Sequence, residues 1–242
     1  MNQTVFQRYE VKYRITRFQK HQLLRLMEEH MTADEHGKSI IQSLYFDTPD
    51  FLLARRSLEH PLYKEKLRLR SYGLPQPEDP VFLELKKKFD GVTYKRRIAL
   101  TAAQVSLSLH DGTLNRSQIG RELAFCQRRY QNLNPALMLS YRREAWYGKE
   151  NRDLRITFDD TVLWRRDQLN LTAGICGSPL LGTQEVLMEV KVADAMPRWL
   201  VDFLSLHRIY KTSFSKYGSA YQHYQNELAY QQTHSRGVLR YA

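Results

Sequence analysis

Basic side chains recur at every second position along several short segments of this sequence. Between residues 63 and 72, for example, Lys64, Lys66, Arg68 and Arg70 alternate with apolar or acidic residues. A period of two places all four side chains on one face of a β-strand. Arg binds phosphate through parallel hydrogen bonds, and Lys binds it as a point charge. The pattern therefore indicates a site for a phosphate-rich anion.

Five of the predicted strands share this alternation. For any single strand the ordinary alternative is a solvated, salt-bridged sheet face, but such a face usually mixes the two signs of charge. Like charges on neighbouring strands repel each other, and an anion held between the strands would relieve that repulsion. The basic residues that the alternation assigns to one shared face are Lys12, Lys66, Arg68, Arg70, Lys86, Lys95, Arg97 and Arg155.

Three glutamates fall on the same face among these cations, namely Glu10, Glu84 and Glu189. Each is either a salt-bridge partner of the neighbouring cations or a ligand of a divalent metal ion. Mg²⁺ and Mn²⁺ are typically held by one or two carboxylates together with substrate phosphates. We favour Glu189 as the metal ligand, with Glu10 and Glu84 as further candidates.

The elements that position these residues follow from periodicity. Strands are expected at 5–15, 39–47, 63–72, 80–89, 92–99, 136–147, 153–159 and 184–192. Helices are expected at 17–31, 50–59, 116–132, 197–206 and 215–231, and a Thr-x-x-Gln capping box predicts a short one after Thr101. About eight strands with helices between them predict an α+β fold with a mostly antiparallel sheet.

Helices must cover the apolar face of this sheet, so its charged face turns inward if the sheet closes. We therefore expect a closed eight-stranded antiparallel β-barrel with helices packed on the outside and a basic, hydrated interior. The chain of 242 residues is expected to form one domain, ordered from about 5 to 231, with frayed residues 1–4 and a flexible tail after about residue 232.

Composition excludes several classes of protein. Two cysteines, Cys126 and Cys176, are too few for a disulfide framework or a cysteine-based zinc site. No apolar run approaches the ~20 residues of a membrane span, and residues 1–10 lack the apolar region of a signal peptide, so a cytoplasmic location is expected. No P-loop, kinase or metalloprotease motif occurs, so a P-loop would not hold ATP.

Eight short motifs then appear in a characteristic order. They are Arg8-Tyr-Glu-Val-Lys-Tyr13, Ser43-Leu-Tyr-Phe-Asp-Thr48, Leu67-Arg-Leu-Arg-Ser-Tyr-Gly73, Phe82-Leu-Glu-Leu-Lys-Lys87, Tyr94-Lys-Arg-Arg97, Leu154-Arg-Ile-Thr-Phe-Asp159, Met188-Glu-Val-Lys191 and Phe214-Ser-Lys-Tyr217. Through them nearly the whole chain resembles the VTC domain, the polyphosphate polymerase branch of the triphosphate tunnel (CYTH-like) metalloenzymes, in a bacterial stand-alone form.

The resemblance implies a tunnel in which the terminal phosphoryl group of ATP is added to polyphosphate, with Mn²⁺ or Mg²⁺ as cofactor and release of ADP. It implies catalytic roles for Lys12, Arg68, Arg70, Lys86, Lys95, Arg155 and Lys216, and metal binding by Glu189. The candidate substrate-binding residues are Arg97 and Arg142, placed in the tunnel by strand parity, together with Lys66, Lys191 and Ser215.

Two positions depart from the family pattern. Arg8 stands where the wider superfamily has the first glutamate of Glu-x-Glu-x-Lys, which suits the polymerase branch better than the cyclase-like hydrolases. Ser213 stands where eukaryotic relatives carry a lysine, with Lys211 two residues earlier. Eukaryotic relatives also have a regulatory domain and a membrane segment, and neither is expected in this sequence. Any contact with the inner face of a membrane would then come through a membrane-protein partner.

Three other functions stay open at this point. A metal-dependent tripolyphosphatase would use the same tunnel with water as the acceptor, and a non-catalytic module would bind polyphosphate only. A nucleic-acid binder is favoured by the net charge of +11 alone. Base stacking requires exposed aromatic rings beside the basic residues, whereas most of the fifteen tyrosines are expected in the core. Tyr13, Tyr45 and Tyr72 are the ones that could flank the tunnel.

Overall fold

The architecture is that of a computed structural model, which describes residues 9–59, 61–90, 92–105 and 117–238. Arg8 and residues 1–4 lie outside these ranges. The strands are β1 (Tyr9–Thr16), β2 (Met31–Asp47), β3 (Tyr63–Tyr72), β4 (Pro80–Phe89), β5 (Val92–Thr101), β6 (Asn134–Gly148), β7 (Arg155–Arg165), β8 (Ser178–Pro179) and β9 (Glu185–Val192). The helices are α1 (Arg17–His30), α2 (Leu52–Leu58), α3 (Gln118–Tyr130), α4 (Arg198–Leu206) and α5 (Lys216–Val238).

The predicted α+β class and antiparallel sheet are confirmed, but the closed eight-stranded barrel is wrong. The described residues form a nine-stranded sheet in the order β1-β9-β7-β6-β2-β3-β4-β5, with the two-residue β8 beside β7. Its end strands β1 and β5 do not pair with each other. The outer edge of β1 is occupied by a different segment, because Lys211 forms a bridge with Tyr13 and the Thr212 N–H donates to the Lys12 carbonyl at 2.7 Å.

The two faces of the sheet differ as the alternation predicts. We call the face that carries Lys66, Arg68, Arg70 and their cross-strand neighbours the charged face. On the opposite face, one apolar cluster joins β1, β7 and β9 to α1 and α4, and another joins β3 and β4 to α3. Burial of these apolar side chains is the main term that stabilises the sheet.

Helix α5 does not lie on the outside as expected. Its Tyr217 ring stacks on Tyr45 of β2, with ring centroids 4.3 Å apart, and Tyr45 faces the same side of the sheet as its cross-strand neighbour Arg68. Tyr217 and Ala220 are buried there against Leu137 and Leu139. One helix therefore packs on the charged face, over its apolar residues such as Leu137 and Leu139.

Local signals account for most element boundaries. Thr16 and Gln19 exchange the two hydrogen bonds of a capping box at the start of α1, and Thr101 and Gln104 do the same at the predicted position after β5. Strand β2 begins eight residues earlier than expected. A register shift between Ala33 and Lys38 interrupts the alternation there, so the start of the strand could not be predicted from a period of two. Helix α5 continues to Val238, beyond the expected end of the ordered chain. No helix in the described part of the chain combines the length and apolar character that a membrane span requires.

Candidate anion-binding site

The strand register brings the predicted basic residues of β3, β4 and β5 side by side. Lys66 lies opposite Lys86, which in turn lies opposite Lys95. Two residues further along β3, Arg68 lies opposite Glu84 of β4, and Glu84 lies opposite Arg97 of β5. Two-residue periodicity alone positions these side chains, because the intervening Leu67, Leu69, Leu83 and Leu85 are buried on the other face.

Glu84 is the centre of the first cluster on this surface and is only 1% exposed. The Nε and Nη2 atoms of Arg68 both lie 2.8 Å from its Oε2, and the Lys95 Nζ lies 2.6 Å from its Oε1. Arg70 and Arg97 approach the carboxylate to 3.8 Å each. Burial by itself raises the pKa of Glu84, but Arg68 and Arg70 outweigh it and lower that pKa to about 2. Glu84 is therefore ionised and holds the cations in place.

Asp159 of β7 is the centre of a second cluster. Arg143 makes a bidentate pair with this buried carboxylate at 2.6 and 2.7 Å, and the Lys216 Nζ donates to it at 2.5 Å. Burial raises the pKa of Asp159, but Lys216 and Arg143 keep it below its ordinary value. The start of α5 is thereby fixed with Lys216 on the charged face.

Arg142 lies on the opposite face from the predicted set, so its placement by strand parity is wrong. Its side chain is 57% exposed and donates to Asp160 at 2.8 Å. Arg143 is the β6 arginine that shares the charged face, and the sequence reasoning missed it. The register of β6 against β2 is continuous from Leu137 to Glu144, so unbroken alternation places Arg143 on the face of Leu139 and Tyr141, and the prediction assigned β6 the wrong parity.

Two tyrosines also reach the site, and of these only Tyr45 was expected there. The Tyr45 hydroxyl accepts from Arg68 at 3.0 Å, and the Tyr141 hydroxyl accepts from Arg70 at 3.3 Å. Burial raises the pKa of Tyr141, but Arg70 and Arg143 outweigh it and lower that pKa below its ordinary value. The sequence does indicate the place of Tyr141, because this residue lies two positions before Arg143 and so shares its face of β6. Tyr13, in contrast, lies on the opposite face of the sheet, in the apolar cluster that joins β1, β7 and β9 to α1 and α4.

The segment before α5 brings Ser215 to the basic surface. The Lys66 Nζ donates to the Ser215 hydroxyl at 2.9 Å, and the Lys12 Nζ donates to the Phe214 carbonyl at 3.2 Å. Burial and the neighbouring Lys12 lower the pKa of Lys66 well below its ordinary value. Ser213 and Lys211 have exposed side chains.

Two carboxylates lie beside Lys12 and fit a divalent ion that also takes phosphate ligands. The Lys12 Nζ is 3.2 Å from Glu10 and 3.8 Å from Glu189, and Lys191 is 2.9 Å from Glu189. Burial raises the pKa of Glu189, but Lys191 and Lys12 lower it far below its ordinary value. Burial and Glu189 raise the pKa of Glu10, while Lys86 and Lys12 bring it below its ordinary value.

Both glutamates are therefore ionised near neutral pH, as metal ligands must be. No group of three or more His, Cys, Asp or Glu side chains suited to a metal occurs in the described ranges. A metal ion here would draw its other ligands from the substrate. Glu84, which is surrounded by four cations, does not fit this role.

Arg155 and Lys191 extend the basic surface towards one end of the sheet. They lie opposite each other on β7 and β9, and Arg155 is exposed. It lines an open recess at that end together with Tyr147, Arg152 and the acidic residues Asp34 and Glu35. The charged face is thus continuous from the Glu84 cluster, past Lys12 and Glu189, to Arg155.

Comparison with solved structures shows the same fold in two proteins. A putative adenylate cyclase from Bacillus halodurans superimposes with a TM-score of 0.53 at 14% identity, over 85% of this chain and 92% of that one. A putative adenylyl cyclase from Hippeastrum, described as having a dominant triphosphatase activity, gives a TM-score of 0.52 at 15% identity, over 89% and 96%.

Among functionally curated sequences, none matches the chain. A family model does: the model of the VTC domain matches residues 7–224. This match includes every strand of the described residues and the first nine residues of the last helix. The chain therefore belongs to the VTC domain family.

Proposed function

We propose that the protein transfers the terminal phosphoryl group of ATP to a polyphosphate chain and releases ADP. The observation that carries this proposal is the continuous basic surface, on which cations outnumber the carboxylates Glu10, Glu84, Asp159 and Glu189. A long polyanion would balance the excess charge. Membership of the VTC domain family supports the same reaction class.

The arrangement suits phosphoryl transfer because that reaction depends on positioning and charge neutralisation more than on covalent chemistry. The acceptor is a phosphate oxygen that is already anionic, so a strong general base is not required. Arg68 is fixed by Glu84 and Tyr45, and Arg70 by Ser43 and Tyr141. Preorganised guanidinium groups stabilise developing charge without reorganisation during the reaction.

Lys216 and Arg143 would hold phosphate from the α5 side of the surface, while Lys12, Lys66, Lys86 and Lys95 provide point charges from β1, β3, β4 and β5. Asp159 orients both Lys216 and Arg143 through its two oxygens. Glu189 and Glu10 would hold Mn²⁺ or Mg²⁺. When bound, such an ion neutralises charge on the nucleotide phosphates.

A labelling assay tests the proposal. Purified protein is incubated with γ-labelled ATP, Mn²⁺ and a short polyphosphate primer, and the products are resolved on a gel. We expect a ladder of lengthening chains that is absent for Glu189→Ala and present for Glu185→Ala, a matched control on the same strand. Glu185 lies at the start of this strand, where it pairs with Arg14, and in the described part of the chain it forms no ion pair with a predicted phosphate-binding residue.

Two outcomes would contradict polymerase activity. Labelled orthophosphate without a ladder would assign the site to a tripolyphosphatase, the second candidate, which is favoured by the triphosphatase activity of the Hippeastrum protein. Tight polyphosphate binding without turnover would assign it to a binding module.

A further inference from the structure

Beyond Arg70, the charged face ends in a cluster of two aromatic rings and one arginine: Tyr72, Phe82 and Arg97. The Tyr72 and Phe82 rings meet edge to face, with centroids 5.8 Å apart and planes at 76°. The Arg97 guanidinium carbon lies 3.3 Å from the Phe82 centroid and 5.8 Å from the Tyr72 centroid. This arrangement combines an aromatic surface with a planar cation.

The register shows that the cluster adjoins the phosphate-binding residues. Phe82 lies opposite Arg70 across β3 and β4, and Arg97 lies opposite Glu84 across β4 and β5. Tyr72 follows Arg70 by two positions on β3 and so shares its face. The aromatic rings are therefore the direct continuation of the row formed by Arg68 and Arg70.

Two features leave the cluster accessible to a ligand. The Tyr72 side chain is 51% exposed although it is a large aromatic residue. The Arg97 Nε is buried and has no hydrogen-bond partner in the described part of the chain, since the Glu84 oxygen 3.8 Å away is too distant for a hydrogen bond. That oxygen is contacted instead by Lys95 at 2.6 Å.

We propose that Tyr72, Phe82 and Arg97 form the subsite for the nucleobase of the phosphate donor. This inference rests on the proposed function and names the end of the surface at which the nucleoside binds. A polyphosphate chain has no π surface and gains nothing from aromatic rings, whereas a base stacks on tyrosine and on a guanidinium plane. The triphosphate of a base seated here extends along Arg70 and Arg68 towards Lys86 and Lys66.

The chemistry of the subsite also sets its specificity. Stacking does not involve the hydrogen-bonding edge of a base, and every base has a π face. ATP and GTP are therefore expected to bind with similar affinity. Inorganic tripolyphosphate, which has the same phosphates but no base, would contact only the basic residues.

Binding of ATP, GTP and tripolyphosphate, measured by calorimetry without primer, tests this subsite. Tyr72→Leu keeps the apolar bulk and removes the ring, and Tyr72→Phe keeps the ring. Tyr94→Leu is the control, because Tyr94 is an exposed tyrosine on the opposite face of β5. We expect Tyr72→Leu to weaken both nucleotides about tenfold and to leave tripolyphosphate unchanged. Tyr72→Phe and Tyr94→Leu are expected to bind all three ligands like the unmodified protein.

Equal weakening of nucleotides and tripolyphosphate by Tyr72→Leu would overturn the inference, because the residue would then act on the phosphate site. Unchanged nucleotide affinity would overturn it as well. The measurement does not depend on turnover. If the ladder assay fails, the polymerase activity is contradicted but the binding comparison can still be interpreted. If the binding comparison fails, the nucleobase subsite is contradicted but the polymerase activity is not.

Discussion

Arg142 and Arg143 are neighbours in β6, yet their guanidinium groups lie on opposite faces of the sheet. Arg142 forms an exposed pair with Asp160, whereas Arg143 forms a bidentate pair with the buried Asp159. Exposed pairs contribute little to stability because water screens them, but breaking a buried pair leaves an uncompensated charge. At the scale of single residues, the site therefore depends on which side chains are held by buried carboxylates.

The two arginines offer a matched test of this difference. We expect Arg143→Lys to reduce phosphoryl transfer at least about tenfold, because a lysine cannot make the bidentate pair that also orients Lys216. Arg142→Lys is expected to retain activity. Initial rates with ATP and primer are the measurement, and circular dichroism checks the fold. Equal rates for the two variants would exclude Arg143 from the site.

The lowered pKa of Glu84 predicts that the stability of the protein depends on pH in a specific way. Its pKa is about 2 in the folded protein and 4.5 for an ordinary glutamate. A pKa lowered by folding means that the ion pairs contribute their full stabilisation above about pH 4.5 and lose it as the pH falls towards 2.

Urea unfolding of the unmodified protein and Glu84→Gln at pH 7 and at pH 3 measures this contribution, since the comparison cancels the other titrating groups. The free energy of unfolding of the two proteins should differ by about 3 kcal/mol at pH 7, and this difference should shrink at pH 3. A difference that does not change with pH would contradict the assignment of Glu84 as the ionised centre of the cluster.

At the scale of elements, the segment before α5 connects three parts of the site. Its backbone pairs with the edge of β1, and Ser215 and Lys216 contact Lys66 and Asp159. Tyr217 then donates to the buried Asp47 at 2.5 Å, and the same carboxylate accepts the N–H groups of Leu53 and Ala54 at the start of α2. One short stretch thereby fixes the positions of two helices and two phosphate-binding side chains.

Thr212 allows this connection to be tested at the backbone. Thr212→Pro removes the N–H that donates to the Lys12 carbonyl, while Thr212→Ala keeps it. We expect the proline variant to lose about 1–3 kcal/mol of stability and most of its transfer activity, because Ser215 and Lys216 are no longer held. The alanine variant should resemble the unmodified protein in urea unfolding and in the ladder assay. Similar behaviour of the two variants would show that the edge pairing does not position α5.

Sequence periodicity was sufficient to predict most of the strands and helices, but not to predict how they are arranged in space. The alternation of Lys66, Arg68 and Arg70 with buried leucines predicted the charged face correctly, since register and parity are local properties of a strand. The periodicity of residues 215–231 predicted a helix without showing which side of the sheet that helix covers. Closure of the sheet depends on which segment pairs with the edge of β1, and that is a contact between residues about 200 positions apart.

At the scale of the whole molecule, the net charge is +11, and many of the cations lie on the charged face. Charges on one surface attract anions over a distance set by ionic strength, which is about 8 Å at physiological salt. Affinity for polyphosphate should therefore fall as salt is added, and it should rise with chain length until the basic surface is filled.

Removal of divalent metal separates binding from catalysis. With excess EDTA we expect phosphoryl transfer to stop while polyphosphate binding persists, because the cations that hold the chain are side chains of the protein. Fluorescence anisotropy of a labelled polyphosphate and the ladder assay give the two measurements on the same sample. Transfer at an unchanged rate in EDTA would contradict a metal role for Glu189 and Glu10.

The missing backbone pairing between β1 and β5 changes how a polymer and this protein can be linked. Across that gap, Glu10 on β1 and Lys86 on β4 meet through an ion pair of 3.5 Å, with no backbone ladder to complete the ring. A closed β-barrel encircles a polymer, which can then enter only by one of its ends. A sheet whose two end strands are joined by side chains alone is instead a cleft that can open along its length. Side-chain contacts bridge this seam, among them the Glu10–Lys86 ion pair and the hydrogen bond from Lys66 to Ser215. If those contacts part, a long chain is captured or released at any point along its length, without threading.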